Sequence, residues 1–229
     1  MVKIIIATMV KDEDDIIKEW IEHHGNIFGY NKLYIIDNFS TDNTYNFCKE
    51  YIPLGLNLTQ EVDYKKKGHF MTEYKNNISC DIFIPLDIDE FIAYKKNNTI
   101  TKTKTVIIDY LANLLNYDDH IYKMEYILPI NTNDKNGLKK FTHAEVAHYG
   151  NDAKTFVIAK NAPTEFIFDH GNHCPTPHFI LSDLVLIHYH QRSHEQVVKK
   201  MRANVTGFGH SFDLDTLENM KGSLGMHRI

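Results

Sequence analysis

The chain has 229 residues, of which 43% are hydrophobic and 24% are charged; this balance is typical of one large globular domain and excludes fibrous and disordered proteins. Its net charge of −5 provides no general attraction for nucleic acid, so we expect no nucleic-acid partner. The longest apolar runs, such as residues 4–10, have about a third of the roughly 20 residues that a membrane span requires, so we expect no transmembrane segment and a cytoplasmic protein.

The N-terminal part of the sequence alternates between short apolar runs and helical patterns. Residues 3–9 form a β-branched run that predicts a buried strand, and apolar side chains then recur at helical spacing from Ile16 to Phe28, with Gly29 at the end. The alternation continues with predicted strands at 33–36, 56–62 and 81–86 and predicted helices at 42–51 and 69–79. Three successive βαβ steps predict a mainly parallel, doubly wound sheet with flanking helices.

Beyond residue 91 the alternation becomes less regular. The patterns predict helices at 105–116 and 193–206 and strands at 121–128, 155–159, 165–168 and 184–188. No internal repeat and no linker-like composition interrupts the sequence. We therefore expect a single α/β domain over residues 1–229, Rossmann-like in its first half and mixed in its second half.

Some residues of types that often take part in catalysis or metal binding have a simpler structural interpretation here. Trp20 and His24 lie on the apolar face of the first predicted helix, so we expect both in the core, with the ring nitrogens of His24 hydrogen-bonded. Cys48, Cys80 and Cys174 are odd in number, widely spaced and free of any Cys-x-x-Cys pair. We expect reduced and partly buried thiols rather than a disulfide framework or a thiolate zinc site.

Acidic side chains gather where the predicted parallel strands end. In chain order, the three strand ends carry Asp12 and Glu13, then Asp37 and Asp42, then Asp87, Asp89 and Glu90. Ligands of open α/β sheets bind outside the carboxyl ends of the strands. Because crowded carboxylates repel one another, such a cluster persists most readily around a divalent cation. The alternative is that each acidic motif forms a solvent-exposed turn, which is what an isolated Asp-x-Asp more often does.

The order of the motifs adds to this interpretation. The motifs are Lys11-Asp12-Glu13, Glu19-Trp20-Ile21 with His24, Asp37-Asn38 with Ser40-Thr41-Asp42, and Asp87-Ile88-Asp89-Glu90-Phe91, followed by the looser Lys154-Thr155-Phe156-Val157 and Leu186-Ile187-His188-Tyr189 with Arg192 and Lys199. Together they resemble the GT-A fold glycosyltransferases of family 2 and the related family 92, particularly small viral and bacterial members. The chain departs from family 2 at Asn38, where that family has a second acid before a Gly-Ser pair.

The resemblance implies a GT-A, or nucleotide-diphospho-sugar transferase, fold and an enzyme. The implied reaction moves a hexosyl or deoxyhexosyl group from a UDP- or dTDP-sugar to a glycan, glycoconjugate or other hydroxyl acceptor, with inversion by family analogy alone. Residues 1–91 would form the nucleotide-binding half, residues 92–206 the acceptor-binding half and residues 207–229 a C-terminal tail.

The resemblance also implies a metal site. Asp89 of the Asp-x-Asp motif would bind Mn²⁺ or Mg²⁺, Asp87 would hold the ribose or a metal-bound water, and His188 would complete the metal's ligands. Six of the 14 histidines lie between residues 170 and 194, and His190 follows His188 at the strand period. A zinc site in residues 170–174 and a non-ligating His188 are the alternatives.

Four further residues are implied in donor binding. Thr8 would line the nucleoside pocket after the first strand, and Asp37 would accept a hydrogen bond from the N3–H of uracil or thymine. Lys67 and Gly68 resemble the basic-Gly step before the third helix, where a cation near the diphosphate is useful. An exposed charged turn is the alternative explanation for the lysine run 65–67.

The sequence does not single out a catalytic base, and it leaves rival functions open. Asp152 and Asp169 are candidates because they fall in loops of the second half, whereas Glu125 falls within a predicted strand. A nucleotidyltransferase is disfavoured because no glycine-rich loop follows the first strand. A zinc hydrolase and a non-catalytic sugar-nucleotide binder are two further rivals.

Overall fold

The computed structural model describes residues 2–97, 99–129, 144–147, 153–163, 166–174 and 178–189, together with eight separate residues between 192 and 213. The chain divides into two compact units, one of residues 1–128 and 146–188 and the other of residues 129–145 and 189–229. Most of the described residues belong to the first unit. Every helix in the described part of the chain is too short or too polar to span a bilayer.

The N-terminal elements follow the predicted alternation. They are β1 (Ile4–Val10), α1 (Ile17–Phe28), β2 (Leu33–Asp37), α2 (Thr44–Lys49), β3 (Asn57–Gln60), α3 (Lys67–Asn77) and β4 (Ile82–Pro85), with short 3-10 turns at Tyr30–Lys32, Ile52–Leu54 and Tyr64–Lys66. The four strands pair in parallel in the order β3-β2-β1-β4. The predicted doubly wound half is therefore confirmed. Gly29 ends α1 with a φ of 97°, which glycine adopts without strain.

The later elements extend the same sheet in mixed directions. They are β5 (Glu90–Lys96), β6 (Thr99–Thr101), α4 (Lys104–Leu114), β7 (Ile121–Pro129), β8 (Ala144–Ala147), β9 (Lys154–Ile158) and β10 (Ile180–His188). The sheet continues from β4 in the order β9-β7-β10-β5-β6, and β8 pairs with β7. Only β7 and β10 pair in parallel among the described pairings beyond β4. The predicted mixed second half is confirmed.

Two details of the predicted elements are wrong. The described part of the predicted strand 165–168 is not a strand, because the N–H of Phe168 donates to Thr72 Oγ1 of α3 (3.0 Å) rather than to a neighbouring strand. Conversely, β5, β6 and β8 have no counterpart in the prediction. Of the predicted helix 193–206, six residues are described and all six are helical. The remainder of that helix and nearly all of the predicted tail lie outside the described residues.

The faces of the sheet are covered by different helices. The face that bears Ile5, Ala7 and Met9 packs against Met71 of α3 in one hydrophobic cluster. Helix α1 packs against β1, β2 and β5. Trp20 is fully buried, as predicted, and the three cysteines are free, with Cys48 and Cys174 buried.

Two adjacent histidines join α1 to β5 at Ile92. His23 Nε2–H donates to the carbonyl of Ile92 (2.8 Å), and His24 Nε2 accepts the N–H of Ile92 (3.3 Å). His24 Nδ1–H donates in turn to the carbonyl of Trp20 (2.9 Å), which confirms the prediction that both of its nitrogens are paired. Burial lowers the pKa of His23 to about 4 and the pKa of His24 well below its usual range.

The strand order requires the sheet to curl. Three strands lie between β4 and β5, so a flat sheet would separate these two by roughly 19 Å at about 4.8 Å per strand. The link from Pro85 to Glu90 spans at most about 18 Å when fully extended, and part of it is a turn. The sheet therefore cannot be flat between β4 and β5. The β10–β5 register pairs His188 with Glu90 and so places His188 at the connecting turn.

Candidate functional site

The acidic motif of residues 87–90 forms a tight turn at the carboxyl end of β4. The N–H of Glu90 donates to the carbonyl of Asp87 (3.2 Å), and the N–H of Asp87 donates to Glu90 Oε2 (2.7 Å). Asp89 is 1% exposed and Glu90 is fully buried, so this is not a solvated acidic turn. Burial raises the pKa of Glu90. The two hydrogen bonds close the turn, with Asp89 and Glu90 buried and the side chain of Asp87 32% exposed.

Asp87 accepts hydrogen bonds from three side chains. The ammonium of Lys67 and the Nδ2 of Asn172 (3.2 Å) donate to Oδ1, and the ammonium of Lys154 donates to Oδ2. Burial opposes ionisation of Asp87, but Lys154 and Lys67 outweigh it, and the pKa of Asp87 lies well below its usual range. The carboxylate is therefore charged, and its oxygens are already engaged.

Lys154 is the centre of this cluster. It is the first residue of β9 and is 3% exposed, and its ammonium also donates to the carbonyl of Gly171 and lies 3.4 Å from Glu90 Oε1. Burial opposes its charge, but Asp87 and Glu90 outweigh that cost and raise the pKa of Lys154. A single buried cation thus joins the acidic turn to the segment 169–173.

The start of α3 carries Lys67 and Gly68. The helix begins at Lys67, two residues earlier than predicted, and this side chain is buried rather than part of an exposed charged turn. A Cβ on Gly68 would lie 2.4 Å from the carbonyl oxygen of Phe168 and 2.6 Å from that of Asp169. Glycine is needed here because the backbone of the segment 166–174 packs directly on the helix.

Asp89 and His188 form a second pair beside the cluster. His188 Nε2 lies 3.5 Å from Asp89 Oδ2, and the His188 ring packs against the ring of Tyr126, with centroids 5.0 Å apart. The hydroxyl of Tyr126 donates to Glu90 Oε1 (3.1 Å). The structure therefore brings together the two residues that the sequence assigned to a metal.

The pair of donor groups fits a divalent cation. Carboxylate oxygen suits Mn²⁺ and Mg²⁺, imidazole nitrogen is a common transition-metal ligand, and two bonds of about 2.1 Å can span the 3.5 Å between the donor atoms. Within the described residues no group of three or more His, Cys, Asp or Glu side chains is arranged to hold a metal ion. Asp89 and His188 would thus be the protein's share of the ligands, and His190 lies outside the described residues.

Asp37 lies at the same edge of the sheet. Since β2 and β4 both flank β1, the ends of these strands lie roughly 10 Å apart. Asp37 is fully buried, and its Oδ2 accepts the side-chain amide of Gln60 (2.9 Å) and the N–H of Ser40 (3.1 Å). In the described structure Asp37 therefore organises the loop that follows β2.

Thr8 lies within β1 rather than after it. Its neighbours Ala7 and Met9 face α3, so its side chain points to the opposite face of the sheet. It is fully buried, and its hydroxyl has no hydrogen-bond partner within the described part of the chain. Its assignment to a nucleoside pocket stays a prediction.

The loops after β1 and β2 are fastened to each other by the motif residues. Asp12, at a φ of 53°, accepts the N–H of Thr41 (2.6 Å) through Oδ1, and its own N–H donates to Ser40 Oγ (2.9 Å). Glu13 N–H donates to Thr44 Oγ1 (2.8 Å). These motif residues shape the edge of the site and are engaged with one another.

The candidate catalytic bases are less well placed. Asp152 lies outside the described residues. Asp169 is half exposed and closes a turn, accepting the backbone N–H of His173 (2.8 Å) and lying 3.3 Å from its Nδ1. Burial opposes ionisation of Asp169, but these bonds from His173 lower its pKa.

The sequence patterns indicate no separate role for several residues of the cluster. Glu90 stands in a motif whose chemistry is assigned to Asp87 and Asp89, Lys154 stands in a motif with no assigned chemistry, Asn172 lies in the segment considered for zinc, and Tyr126 belongs to no motif. Asn172 has a φ of 60°, is fully buried and has an Oδ1 without a hydrogen-bond partner among the described residues. The signals in the sequence for Lys154 are its place directly before an apolar strand and the loose resemblance of the motif 154–157.

Comparison with known proteins identifies the fold. No protein-family model matches the chain, and no curated protein matches it by sequence. Among solved structures, the mannosyltransferase PcManGT from Pyrobaculum calidifontis, in complex with GDP-Man and Mn²⁺, matches with a TM-score of 0.51 and 13% identity over 96% of this chain and 66% of that one. The chain thus spans slightly less than two thirds of the mannosyltransferase.

A second solved structure gives the same result. Residues 1–349 of TarS from S. aureus match with a TM-score of 0.50 and 13% identity over 98% of this chain and 68% of that one. At such low identity these likenesses bear on the fold rather than on the activity. The chain has the GT-A fold that its sequence motifs predict.

Proposed function

We propose that this chain is a metal-dependent glycosyltransferase that moves a sugar from a nucleotide-diphosphate sugar to a hydroxyl group of a glycan or glycoconjugate. The observation that carries the proposal is the Asp89–His188 pair beside the cationic Lys67, at the carboxyl edge of a GT-A sheet. Ligands bind at this edge in open α/β folds. The proposed donor is a UDP- or dTDP-sugar carrying a hexosyl or deoxyhexosyl group.

Different residues of the site are proposed to bind different parts of the donor. Asp89 and His188 hold Mn²⁺ or Mg²⁺, which supplies the positive charge that neutralises the departing diphosphate. Lys67, at the start of α3, offers its ammonium to the diphosphate, and Asp87 is fixed in place for the ribose side of the donor. Asp37 is the proposed acceptor for the base, which favours uracil or thymine because both present an N3–H donor.

The acceptor side of the reaction requires a carboxylate that takes the proton of the attacking hydroxyl. Asp152 and Asp169 remain the proposed candidates, and inversion at the anomeric carbon rests on the family resemblance. A general base works best when its pKa is near the operating pH. The lowered pKa of Asp169 weakens it as a base, so we propose to substitute Asp152 first.

Nucleotide binding by an Asp89→Asn variant tests this proposal. We expect UDP with Mn²⁺ to raise the melting temperature of the wild-type protein, since a ligand that binds only the native state stabilises it. The substitution keeps the shape of the buried side chain but removes its charge, so the Mn²⁺-dependent shift should disappear. Thermal-shift measurements with UDP, dTDP and GDP, each with and without Mn²⁺, record the effect.

The matched control is Asp81→Asn, which changes the aspartate before β4, at the opposite end of the strand, where Asp81 Oδ2 accepts the N–H of Lys3. That variant should keep the full Mn²⁺-dependent shift. If Asp89→Asn binds a nucleotide with unchanged metal dependence, the metal assignment is wrong. If the wild-type protein responds to no nucleotide with Mn²⁺, the proposed activity is wrong as a whole.

A further inference from the structure

We propose that Lys154 is a positioning residue that withholds Asp87 from the cation and thereby makes cation binding depend on the nucleotide. The inference rests on the proposed function, because it concerns the same site. It assigns a role to a buried lysine that is not itself a metal ligand. It also separates the tasks of the two aspartates in the Asp-x-Asp motif.

The first argument is the occupancy of the Asp87 carboxylate. Each of its oxygens accepts an ammonium group, Oδ1 from Lys67 and Oδ2 from Lys154, and Oδ1 also accepts from Asn172. A cation that bound Asp87 directly would have to displace an ammonium or lie close to it. Both arrangements are unfavourable, because the cation would lie close to two buried ammonium groups, and like charges repel strongly where solvent is scarce.

The second argument is that Lys154 is held more firmly than Lys67. Both lysines are buried, at 3% exposure for Lys154 and 2% for Lys67, so their contacts distinguish them. The ammonium of Lys154 contacts Asp87, Glu90 and the carbonyl of Gly171 in a separate segment, whereas that of Lys67 contacts Asp87. Displacing this ammonium of Lys154 would leave the fully buried Glu90 without the positive charge beside it and the carbonyl of Gly171 without its donor, which is unfavourable. Lys67 reaches the cluster from the start of a helix, where its ammonium can serve the diphosphate. Lys154 therefore stays on Asp87 when a donor binds.

The third argument is the consequence for the cation. With Asp87 held by Lys154, Asp89 and His188 supply the protein ligands, and oxygens of the diphosphate complete the set. The nucleotide then strengthens binding of the cation, and by linkage the cation strengthens binding of the nucleotide by the same factor. Lys154 thus favours capture of the cation together with the donor over capture of the cation alone.

Titration of Mn²⁺ into Lys154→Met tests the inference. Mn²⁺ affinity is measured by calorimetry or by the electron paramagnetic resonance of free Mn²⁺, with no nucleotide and then with saturating UDP, dTDP or GDP. In the wild type we expect the nucleotide to tighten Mn²⁺ binding about tenfold or more. In Lys154→Met the Asp87 carboxylate becomes available, so nucleotide-free Mn²⁺ binding should tighten and the nucleotide's effect should shrink by about tenfold.

A double variant distinguishes the release of Asp87 from the change in net charge of the cluster. Lys154→Met combined with Glu90→Gln removes one positive and one negative group, so the net charge of the cluster equals that of the wild type, and burial of an unpaired carboxylate is reduced. If release of Asp87 is the cause, nucleotide-free Mn²⁺ binding stays tighter than in the wild type. A return to wild-type affinity would mean that charge alone is responsible and would overturn the inference. If the single variant does not fold, this double variant decides.

Lys75→Met is the matched control, since it removes another buried lysine. The ammonium of Lys75 donates to the carbonyl of Pro163 and lies over the ring of Phe166. This variant should leave the coupling between Mn²⁺ and nucleotide unchanged. Weaker Mn²⁺ binding in both Lys154 variants would indicate only structural damage and would also overturn the inference. A wild-type protein that binds no nucleotide with Mn²⁺ would instead overturn the proposed function, and this inference with it.

Discussion

At the scale of single residues, two aspartates that stand two positions apart have different surroundings. Asp87 is engaged by Lys67, Lys154 and Asn172, whereas Asp89 faces the imidazole of His188. The difference arises because the turn of residues 87–90 directs one carboxylate towards α3 and β9 and the other towards β10. The spacing of the motif alone does not distinguish the two, since neither set of partners is local in sequence.

We expect His188→Ala to weaken Mn²⁺ binding in the presence of UDP by about tenfold or more, because it removes one of two proposed protein ligands. The measurement is a Mn²⁺ titration at saturating nucleotide. His69→Ala is the control, since His69 is exposed on α3, with its Nε2 3.5 Å from Glu73 Oε1, and should leave Mn²⁺ affinity unchanged. Equal effects of the two substitutions would remove His188 from the metal site.

The sequence predicts the acidic residues of the site better than the basic ones. Asp37, Asp87 and Asp89 follow strands that are recognisable by their apolar runs, so their place at the sheet edge follows from the alternation. Lys154 stands at the start of an equally apolar strand, and its burial depends on partners far away in the chain. A pattern of apolar residues carries no information about such an ion pair.

At the scale of elements, the contact between α3 and the segment 166–174 positions one side of the site. Gly68 allows the backbone of Phe168 to lie against the helix, and Thr72 fixes it, with its Oγ1 accepting the N–H of Phe168 and donating to the carbonyl of Gly68. The same segment carries Asn172 and the carbonyl that Lys154 binds. Helix and segment therefore act as one support for Asp87.

We expect Gly68→Ala to lower the free energy of unfolding by roughly 1–3 kcal/mol, because the added methyl group would meet rigid backbone atoms. It should also weaken Mn²⁺-dependent nucleotide binding, since the supporting segment must move. Urea denaturation and the thermal-shift assay measure the two effects. Gly25→Ala is the control: its methyl group, on α1, would meet the ring of Tyr30, so stability should fall while nucleotide binding persists. Unchanged nucleotide binding in Gly68→Ala would contradict this role.

Two errors in the predicted elements have physical explanations. Strand β5 begins at Glu90, within the acidic turn and only four residues after β4, so its apolar residues resemble the continuation of a motif rather than a new strand. The segment 166–168 shows the opposite error, since buried Phe166 and Phe168 alternate with the exposed Ile167 as in a strand. Its backbone instead pairs with a helix side chain, which alternation of burial does not reveal.

At the scale of the whole molecule, the attachment of α1 to β5 introduces a dependence on pH. His23 and His24 both bind the backbone of Ile92 in their neutral forms, His23 as donor and His24 as acceptor. The pKa of His23 is lowered from about 6.5 to about 4, and that of His24 is also lowered. Because the unfolded chain takes up these protons first, acid favours the unfolded state.

We expect the free energy of unfolding to fall as the pH decreases from about 7 to about 4, by roughly 3 kcal/mol for His23 alone. Urea denaturation at a series of pH values measures the slope. His23→Gln keeps a donor for the Ile92 carbonyl but cannot titrate, so its slope should be smaller. His69→Gln, at an exposed histidine, should keep the wild-type slope, and a slope unaffected by His23→Gln would disprove this origin.

The order of the elements along the chain also determines when the acidic turn acquires its partners during synthesis on the ribosome. The turn of residues 87–90 emerges first, while Lys154 and His188 follow in strands β9 and β10. At typical translation rates of about 5–20 residues per second, His188 appears roughly 5–20 seconds after Asp89. A nascent chain therefore carries Lys67 and three neighbouring carboxylates before Lys154 and His188 exist. Burial of this turn must wait for β9 and β10, so this edge of the sheet is completed only when the last strands pair.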